Sequence, residues 1–236
     1  MSGGEPELAV LLDLFPEGVE EVDGGYSVYT DEAGEASLRL HFDVASEPVA
    51  DGWEDAWRTF HHGVAVGGLW VGPPWEEPPP GALAVVIDPG RAFGTGAHPT
   101  TRLSLALLQE VEPAGLLDVG CGSGVLSIAA WKLGFAPVTG IDVDESAIEV
   151  TLANARVNGV AITAYRADAL ADELPHAEVA VANVALDVVE RLLPRLSVRR
   201  AIVSGYLDGD TPDAPGWRRV ERRTADGWAA DLLEHT

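Results

Sequence analysis

From residue 82 to residue 206, short apolar runs typical of β-strands alternate with stretches whose apolar spacing is typical of helices. Consecutive parallel strands need a crossover connection, so this alternation predicts a parallel sheet that helices cover on both faces. The strand-like runs include ALAVVID at 82–88, GLLDVG at 115–120, PVTGID at 137–142 and AEVAVANV at 177–184. Two last runs flank Asp226 and Gly227 and predict an antiparallel pair. The predicted fold class is therefore α/β, with a Rossmann-like sheet that is mostly parallel and ends in antiparallel strands.

The region before residue 82 has a different organisation. A short helical pattern and two strand-like stretches predict a small acidic α+β domain over 1–50. A helical pattern and the proline-rich turn GPPWEEPPPG predict a linker over 51–80, with the Rossmann-like domain occupying 81–236.

Composition limits where the protein acts and what it binds. No apolar run reaches the roughly 18 residues of a membrane span, and acidic residues interrupt the first 30 positions, which predicts a cytoplasmic protein without a membrane partner. The single cysteine, Cys121, excludes an intramolecular disulfide and a thiolate-rich zinc site, and we expect no metal. The net charge of -23 disfavours direct binding to nucleic acid. Residues 1–55 contain 15 acidic side chains and one basic residue, Arg39, which fits either a solubilising surface or a docking face for a basic protein.

Two glycine-rich segments are candidates for a nucleotide site: PGRAFGTGAHPTT at 89–101 and DVGCGSG at 118–124. The second follows a buried strand and leads into a helix, which is the position of the ligand-binding turn in open α/β sheets. Its spacing is G-x-G-x-G, whereas the fingerprint of dinucleotide-binding proteins is G-x-G-x-x-G. In those proteins the pyrophosphate binds at the N-terminus of the helix that follows the glycines. The spacing therefore favours a cofactor without phosphates, S-adenosylmethionine, over a nicotinamide cofactor.

Acidic residues at the ends of the following strands complete the predicted cofactor site. Gly120, Gly122 and Gly124 would allow the backbone to approach the cofactor closely, and Asp142 would hold the ribose hydroxyls. Asp168 is a candidate for binding the adenine amino group, although it also fits an aspartate in a surface turn.

Four segments together resemble the ribosomal protein L11 methyltransferase family, bacterial enzymes that trimethylate amino groups of that protein. These segments are IDPGRAFGTGAHPTT, LLDVGCGSGVLSIAAWKLG, GIDVDESAIEVTLANARVNGV and VANVALDVV. The resemblance implies that four residues contact the cofactor: Thr101, Gly120, Asp142 and Asn183. It also implies that Phe93, Gly94 and Thr95 belong to a loop that closes over the cofactor and the transferred methyl group.

The resemblance implies a class I S-adenosylmethionine-dependent protein N-methyltransferase that releases S-adenosylhomocysteine. Its substrates would be lysine and α-amino groups of ribosomal protein L11, a basic large-subunit protein, and the enzyme would be a monomer. Since the attacking amine must be neutral, the site should desolvate it or accept its proton. The predicted catalytic residues are Asn183, which would orient the amine through its side-chain oxygen, with Phe93 and Thr95. His98 either supports the loop or accepts a proton from the substrate.

Two departures from the family leave alternatives open. The front domain resembles a ferredoxin-like substrate-recognition module that lacks its leading strand, which allows a methyltransferase for another protein or for a small amine. Asn183 is followed by Val184, Ala185 and Leu186, where many amino-methylating enzymes have N-P-P-Y. This departure allows an interaction module that binds the cofactor without turnover.

Overall fold

The computed structural model describes residues 20–22, 25–27, 38–39, 42, 44, 46, 62–88 and 96–236. The chain divides into two compact units, Met1–Trp53 and Glu54–Thr236. In the first unit, strands β1 (Glu20–Val22) and β2 (Gly25–Ser27) pair antiparallel. The domain boundaries at residues 50 and 80 stay predictions.

The second unit begins with a three-stranded sheet of β3 (Val64–Val66), β4 (Leu69–Gly72) and β5 (Leu83–Val86). β4 is the middle strand, antiparallel to β3 and parallel to β5. We predicted that the apolar run at 82–88 belongs to the Rossmann-like sheet, and this assignment is wrong. The run pairs with β4, a short apolar strand inside the stretch predicted to be a linker, and apolar patterning does not specify which sheet a strand joins.

The main sheet has seven strands in the order β11-β12-β10-β9-β6-β7-β8. In chain order they are β6 (Leu116–Val119), β7 (Val138–Asp142), β8 (Thr163–Arg166), β9 (Val179–Asn183), β10 (Arg200–Leu207), β11 (Trp217–Ala225) and β12 (Trp228–His235). Strands β6 to β10 are mutually parallel, and β12 runs antiparallel to its two neighbours, β10 and β11. The predicted α/β fold class with antiparallel C-terminal strands is thus confirmed.

Helices cover both faces of this sheet. They are α1 (Pro99–Leu108), α2 (Val125–Lys132), α3 (Glu145–Val157) and α4 (Leu186–Leu192), and α4 continues as a 3₁₀ turn over Leu193–Arg195. The α-helix gives way to the 3₁₀ turn because Pro194 has no N–H to continue the α-helical ladder. Neighbouring strand residues face opposite cores, as the period of two requires: Leu116 packs with α1 and α2, and Leu117 packs with α4.

Side chains of α2, of α3 and of Asn158, which caps the C-terminus of α3, bind the outer edge of β5. The Asn158 amide accepts from Val86 N at 2.9 Å and donates to Val86 O at 2.6 Å. Lys132 Nζ donates to Ala84 O, and Asn154 Oδ1 accepts from Asp88 N at 3.4 Å. These bonds attach the small sheet to the helices of the Rossmann-like fold. Within the residues that the structure describes, no helix is long and apolar enough to cross a membrane.

Candidate functional site

A cavity of about 410 Å³ opens at the carboxyl ends of the parallel strands. β6 lies between β7 and β9, so the chain leaves β6 toward one side of the sheet and returns on the other, and ligands bind at such a switch point. The lining comes from α1, from the end of β6 and the turn after it, from the start of α2, from the ends of β7 and β9, from the loop after β8 and from α4: Thr101, Val119, Gly120, Cys121, Gly122, Ser123, Val125, Leu126, Ile141, Asp142, Val143, Ala167, Asp168, Ala169, Leu170, Asn183, Val184 and Val188.

Most of the predicted site residues meet in this cavity. Six of them line it: Thr101, Gly120, Gly122, Asp142, Asp168 and Asn183. Gly124 is absent from the lining. Phe93 and Thr95, together with Gly94, lie outside the residues that the structure describes.

The turn after β6 needs glycine for two different reasons. Gly120 has φ +71°, and a Cβ there would lie 2.7 Å from Val184 Cγ1. Gly124 has φ +80°, and a Cβ there would lie 3.0 Å from Thr151 Cγ2. Gly120 therefore lets the turn pass close to the residue after β9, whereas Gly124 lets α2 begin close against α3.

Two polar side chains of α3 hold this turn from behind. Thr151 Oγ1 donates to Gly122 O at 2.9 Å, and Asn154 Nδ2 donates to Ser123 O at 2.9 Å. Both polar residues are buried, whereas the apolar Leu152 on the same helix is only half-buried. The sequence interpretation did not include Thr151 and Asn154, although they follow Ile148 at intervals of three residues, which was the available signal.

Asp142 is held in place by the backbone around it. Its Oδ2 accepts from Gly122 N and its Oδ1 accepts from Asp144 N, both at 3.0 Å. A carboxylate has about four acceptor positions, so two remain for hydroxyl groups in the cavity. Asp168 lines the cavity, and its Oδ1 also accepts from Leu170 N at 2.8 Å in the turn after β8; its binding of an adenine amino group stays a prediction.

A third carboxyl group, that of Asp118, is buried beneath the turn. Ser127 Oγ donates to its Oδ2 at 2.7 Å, and burial raises the pKa of Asp118 to about 6. Its Oδ1 has no hydrogen-bond partner in the part of the chain that the structure describes. Burial also raises the pKa of Cys121 to about 12, so this thiol is not a nucleophile.

The charge of the lining decides which nucleotide chemistry the cavity fits. Two carboxylates, Asp142 and Asp168, line it, and the lining described above contains neither lysine nor arginine. Phosphate groups would meet negative charge without a compensating cation. The cavity therefore fits a ligand that has hydroxyl groups and positive charge, which is the character of S-adenosylmethionine.

The opposite wall joins Asn183, at the end of β9, to the first turn of α1. Asn183 Nδ2 donates to Thr101 Oγ1 at 3.3 Å, which leaves the amide oxygen as the acceptor that an incoming amine needs. His98 precedes α1 as its N-cap, and its Nδ1 accepts from Thr100 N at 3.4 Å. His98 is not among the lining residues, and this geometry favours the supporting role over proton transfer.

Known proteins similar to this chain point to one family. The family model described as ribosomal protein L11 methyltransferase (PrmA) matches residues 20–210. The ribosomal protein L11 methyltransferase of Caldanaerobacter subterraneus subsp. tengcongensis is 41% identical over 155 residues, covering 63% of this chain and 50% of the relative. That of Erwinia tasmaniensis is 45% identical over 157 residues, covering 62% and 52%. The chain thus spans about half the length of these curated relatives.

Solved structures agree with the fold. The ribosomal protein L11 methylase of Lactobacillus delbrueckii subsp. bulgaricus superposes with a TM-score of 0.68 at 28% identity, covering 74% of this chain and 99% of that chain. The Pyrococcus abyssi tRNA (uracil-54, C5)-methyltransferase shares the fold at 19% identity, with a TM-score of 0.54, covering 73% and 44%. Since the family model covers most of the chain, the chain belongs to the ribosomal protein L11 methyltransferase family.

Proposed function

We propose that this protein is an S-adenosylmethionine-dependent protein N-methyltransferase that acts on lysine and α-amino groups of ribosomal protein L11. The observation that supports the proposal most directly is the composition of the cavity. It combines a glycine turn, two carboxylates and an asparagine at a switch point, in a chain of the L11 methyltransferase family.

The cofactor would lie along the turn after β6. Gly120 and Gly122 give its backbone close access, the fixed carboxylate of Asp142 is suited to accept from ribose hydroxyls, and Asp168 is suited to accept from an amino group. Gly124 supports the same turn through its packing on Thr151. When bound, S-adenosylmethionine supplies a methyl group on a sulfonium, a carbon already activated for displacement.

The protein's task is then to present a neutral amine in line with that carbon and to exclude water. The cavity wall is mainly apolar, and desolvation there lowers the pKa of an entering ammonium group. Asn183 Oδ1 accepts an N–H of the amine and so directs the nitrogen lone pair, while Thr101 holds the amide nitrogen. We also retain Phe93 and Thr95 as proposed members of the catalytic loop.

The substrate proposal rests on the relatives, which are named for L11 methylation. A basic protein suits a chain of net charge -23, and the same charge argues against nucleic acid as a direct partner. We further propose that the protein acts as a monomer in the cytoplasm.

Incubation with methyl-labelled S-adenosylmethionine and purified L11 tests this function, with mass spectrometry reporting the modified groups and the methyl count. L11 with chemically blocked amines is the matched control. We expect label in L11 and none in the control. Transfer to a different protein or a small amine, but not to L11, would support the first alternative. Cofactor binding by calorimetry without turnover on any acceptor would support a binding module.

A further inference from the structure

We propose that the tip of the C-terminal β11–β12 hairpin, residues 225–228, is a positioning element for methyl transfer. The hairpin fixes the first turn of α1 and thereby places the Thr101 hydroxyl against Asn183. This inference rests on the proposed function, because it assigns a role within the same site.

The tip has a rigid two-residue turn. Asp226 has φ +52° and Gly227 has φ +80°, and Ala225 pairs with Trp228 across the turn. Positive φ at both central residues is the geometry of a type I′ turn, whose twist matches that of the strands it joins. Asp208 N also donates to Gly227 O at 2.9 Å, which ties the tip to the end of β10.

The tip contacts the start of α1 at two points. The Trp228 ring meets the His98 ring edge-on, with centroids 4.9 Å apart. Arg102 Nη2 donates to Asp226 Oδ2 at 2.6 Å. These two contacts bracket Thr101, since His98 caps the helix before it and Arg102 follows it directly.

The other end of α1 is attached to the same hairpin. Arg223 Nη2 donates to Glu110 Oε1 at 3.3 Å, just beyond the last turn. Between the two ends, Leu105 and Leu108 share a buried core with Ala230 and Leu232 of β12. The helix is therefore supported along its whole length, and its register on the hairpin sets where Thr101 stands.

The hairpin tip would affect methyl transfer through one hydrogen bond, that between Asn183 and Thr101. Asn183 Nδ2 donates to Thr101 Oγ1 at 3.3 Å, and this bond holds the Asn183 amide at a fixed place in the cavity wall. If the helix shifts, the amide loses this anchor, and its oxygen is no longer held where the incoming amine needs an acceptor. Trp228 and Asp226 would thus act on transfer through Thr101, without touching the reactants.

A double-mutant cycle tests the inference. We expect Trp228→Leu to lower kcat about 10-fold, with KM for L11 changed less than about 2-fold. Asp226→Asn keeps the turn and should lower kcat about 2-fold. In a Thr101→Ala background both substitutions should have almost no further effect, because the bond they protect is gone. Trp228→Phe keeps the ring contact and should restore most of the rate. Arg218→Ala, which breaks an ion pair with Glu234 on the same hairpin, is the control and should leave kcat unchanged.

Affinity for S-adenosylhomocysteine, measured by calorimetry on the same proteins, extends the test to a readout without turnover. We expect Trp228→Leu to weaken it about 3-fold in the Thr101 protein and not in the Thr101→Ala protein. Equal losses in both backgrounds, or no loss from either tip variant, would overturn the inference and leave the proposed function intact. If the unaltered protein does not bind S-adenosylhomocysteine, the proposed function fails, and this inference fails with it. If Trp228→Leu does not fold, the Asp226→Asn cycle alone decides.

Discussion

The two walls of the cavity are built in different ways. On the wall formed by the glycine turn, backbone groups are held at about 3.0 Å by the half-buried side chain of Asp142 and by the buried side chains of Thr151 and Asn154, which lie 20 to 31 residues further along the chain. On the opposite wall, the contact groups are the side chains of Thr101 and Asn183, 82 residues apart and joined at 3.3 Å. One wall is preformed by local chain geometry, whereas the other depends on the packing of remote elements. This difference predicts that mutations on the two walls affect different steps.

Asn183→Ala should have the largest effect, and on the transfer step. Loss of the amide removes the acceptor that directs the amine, so we expect kcat to fall on the order of 10²- to 10³-fold, with cofactor affinity reduced less than about 10-fold. Single-turnover methylation of L11 and calorimetry measure the two quantities. Asn183→Asp keeps an acceptor oxygen and should retain part of the rate. A kcat for Asn183→Ala within about 3-fold of the original would contradict the division between the walls.

Asp118 should make the stability of the glycine wall depend on pH. Burial raises the pKa of Asp118 to about 6, so the folded protein keeps a proton that the unfolded chain releases near pH 4. The proton on Asp118 therefore contributes to the free energy of unfolding below about pH 4. This contribution, up to about 3 kcal/mol, is lost as the pH rises through about 6.

Denaturant unfolding between about pH 4 and about pH 7 measures this dependence, which Asp118→Asn should flatten. Glu149→Gln removes an exposed carboxylate of α3 and serves as the control. The same slope in Asp118→Asn as in the unaltered protein would show that Asp118 titrates normally.

Asp142→Ala should weaken cofactor binding by about 1 to 3 kcal/mol, because charge-assisted hydrogen bonds to the carboxylate are lost. The substitution also frees Gly122 N and Asp144 N, which the carboxylate now binds. Calorimetry with S-adenosylhomocysteine measures the change, and Asp142→Asn, which keeps one acceptor, should fall between the two proteins. Unchanged affinity would refute the assignment of Asp142 to the ribose.

Thr151→Val should have the smallest effect, about 1 kcal/mol in the free energy of unfolding. The substitution keeps the shape of the side chain and removes the hydroxyl that donates to Gly122 O. Chemical denaturation gives the value, and Thr163→Val on the exposed edge strand β8 is the matched control. A loss no larger than that of the control would mean that Thr151 does not stabilise the glycine turn.

The same difference between the walls explains what the sequence could predict. Gly120, Gly122 and Asp142 were found from a local rule, since a strand, a turn and the acid at the end of the next strand lie within about 20 residues of one another. The strand alternation likewise gave the parallel sheet and its antiparallel end. Thr101 and Asn183 came only from the family resemblance, because no local pattern indicates that α1 reaches the end of β9.

Other features required three-dimensional packing. Thr151 and Asn154 were not recognised from the sequence, since a sequence pattern does not show that a buried polar group has a backbone partner. The separate sheet of β3 to β5 was missed for a related reason. The apolar pattern of a short strand does not show which other strand it pairs with, because tertiary packing decides that choice. The support of α1 by the hairpin tip joins residues 124 positions apart, and no spacing rule reaches that far.

The bonds along β5 bear on how the protein behaves in a concentrated solution. A strand with unpaired N–H and C=O groups on its outer side is a template for a strand from another molecule. Three side chains bind the backbone groups on the outer side of β5 and of the two residues after it. Lys132 binds Ala84 O, Asn158 binds both Val86 N and Val86 O, and Asn154 binds Asp88 N. These side chains thus satisfy the backbone groups that a further strand would bind. We therefore expect that this edge of the small sheet does not pair readily with a strand from another molecule.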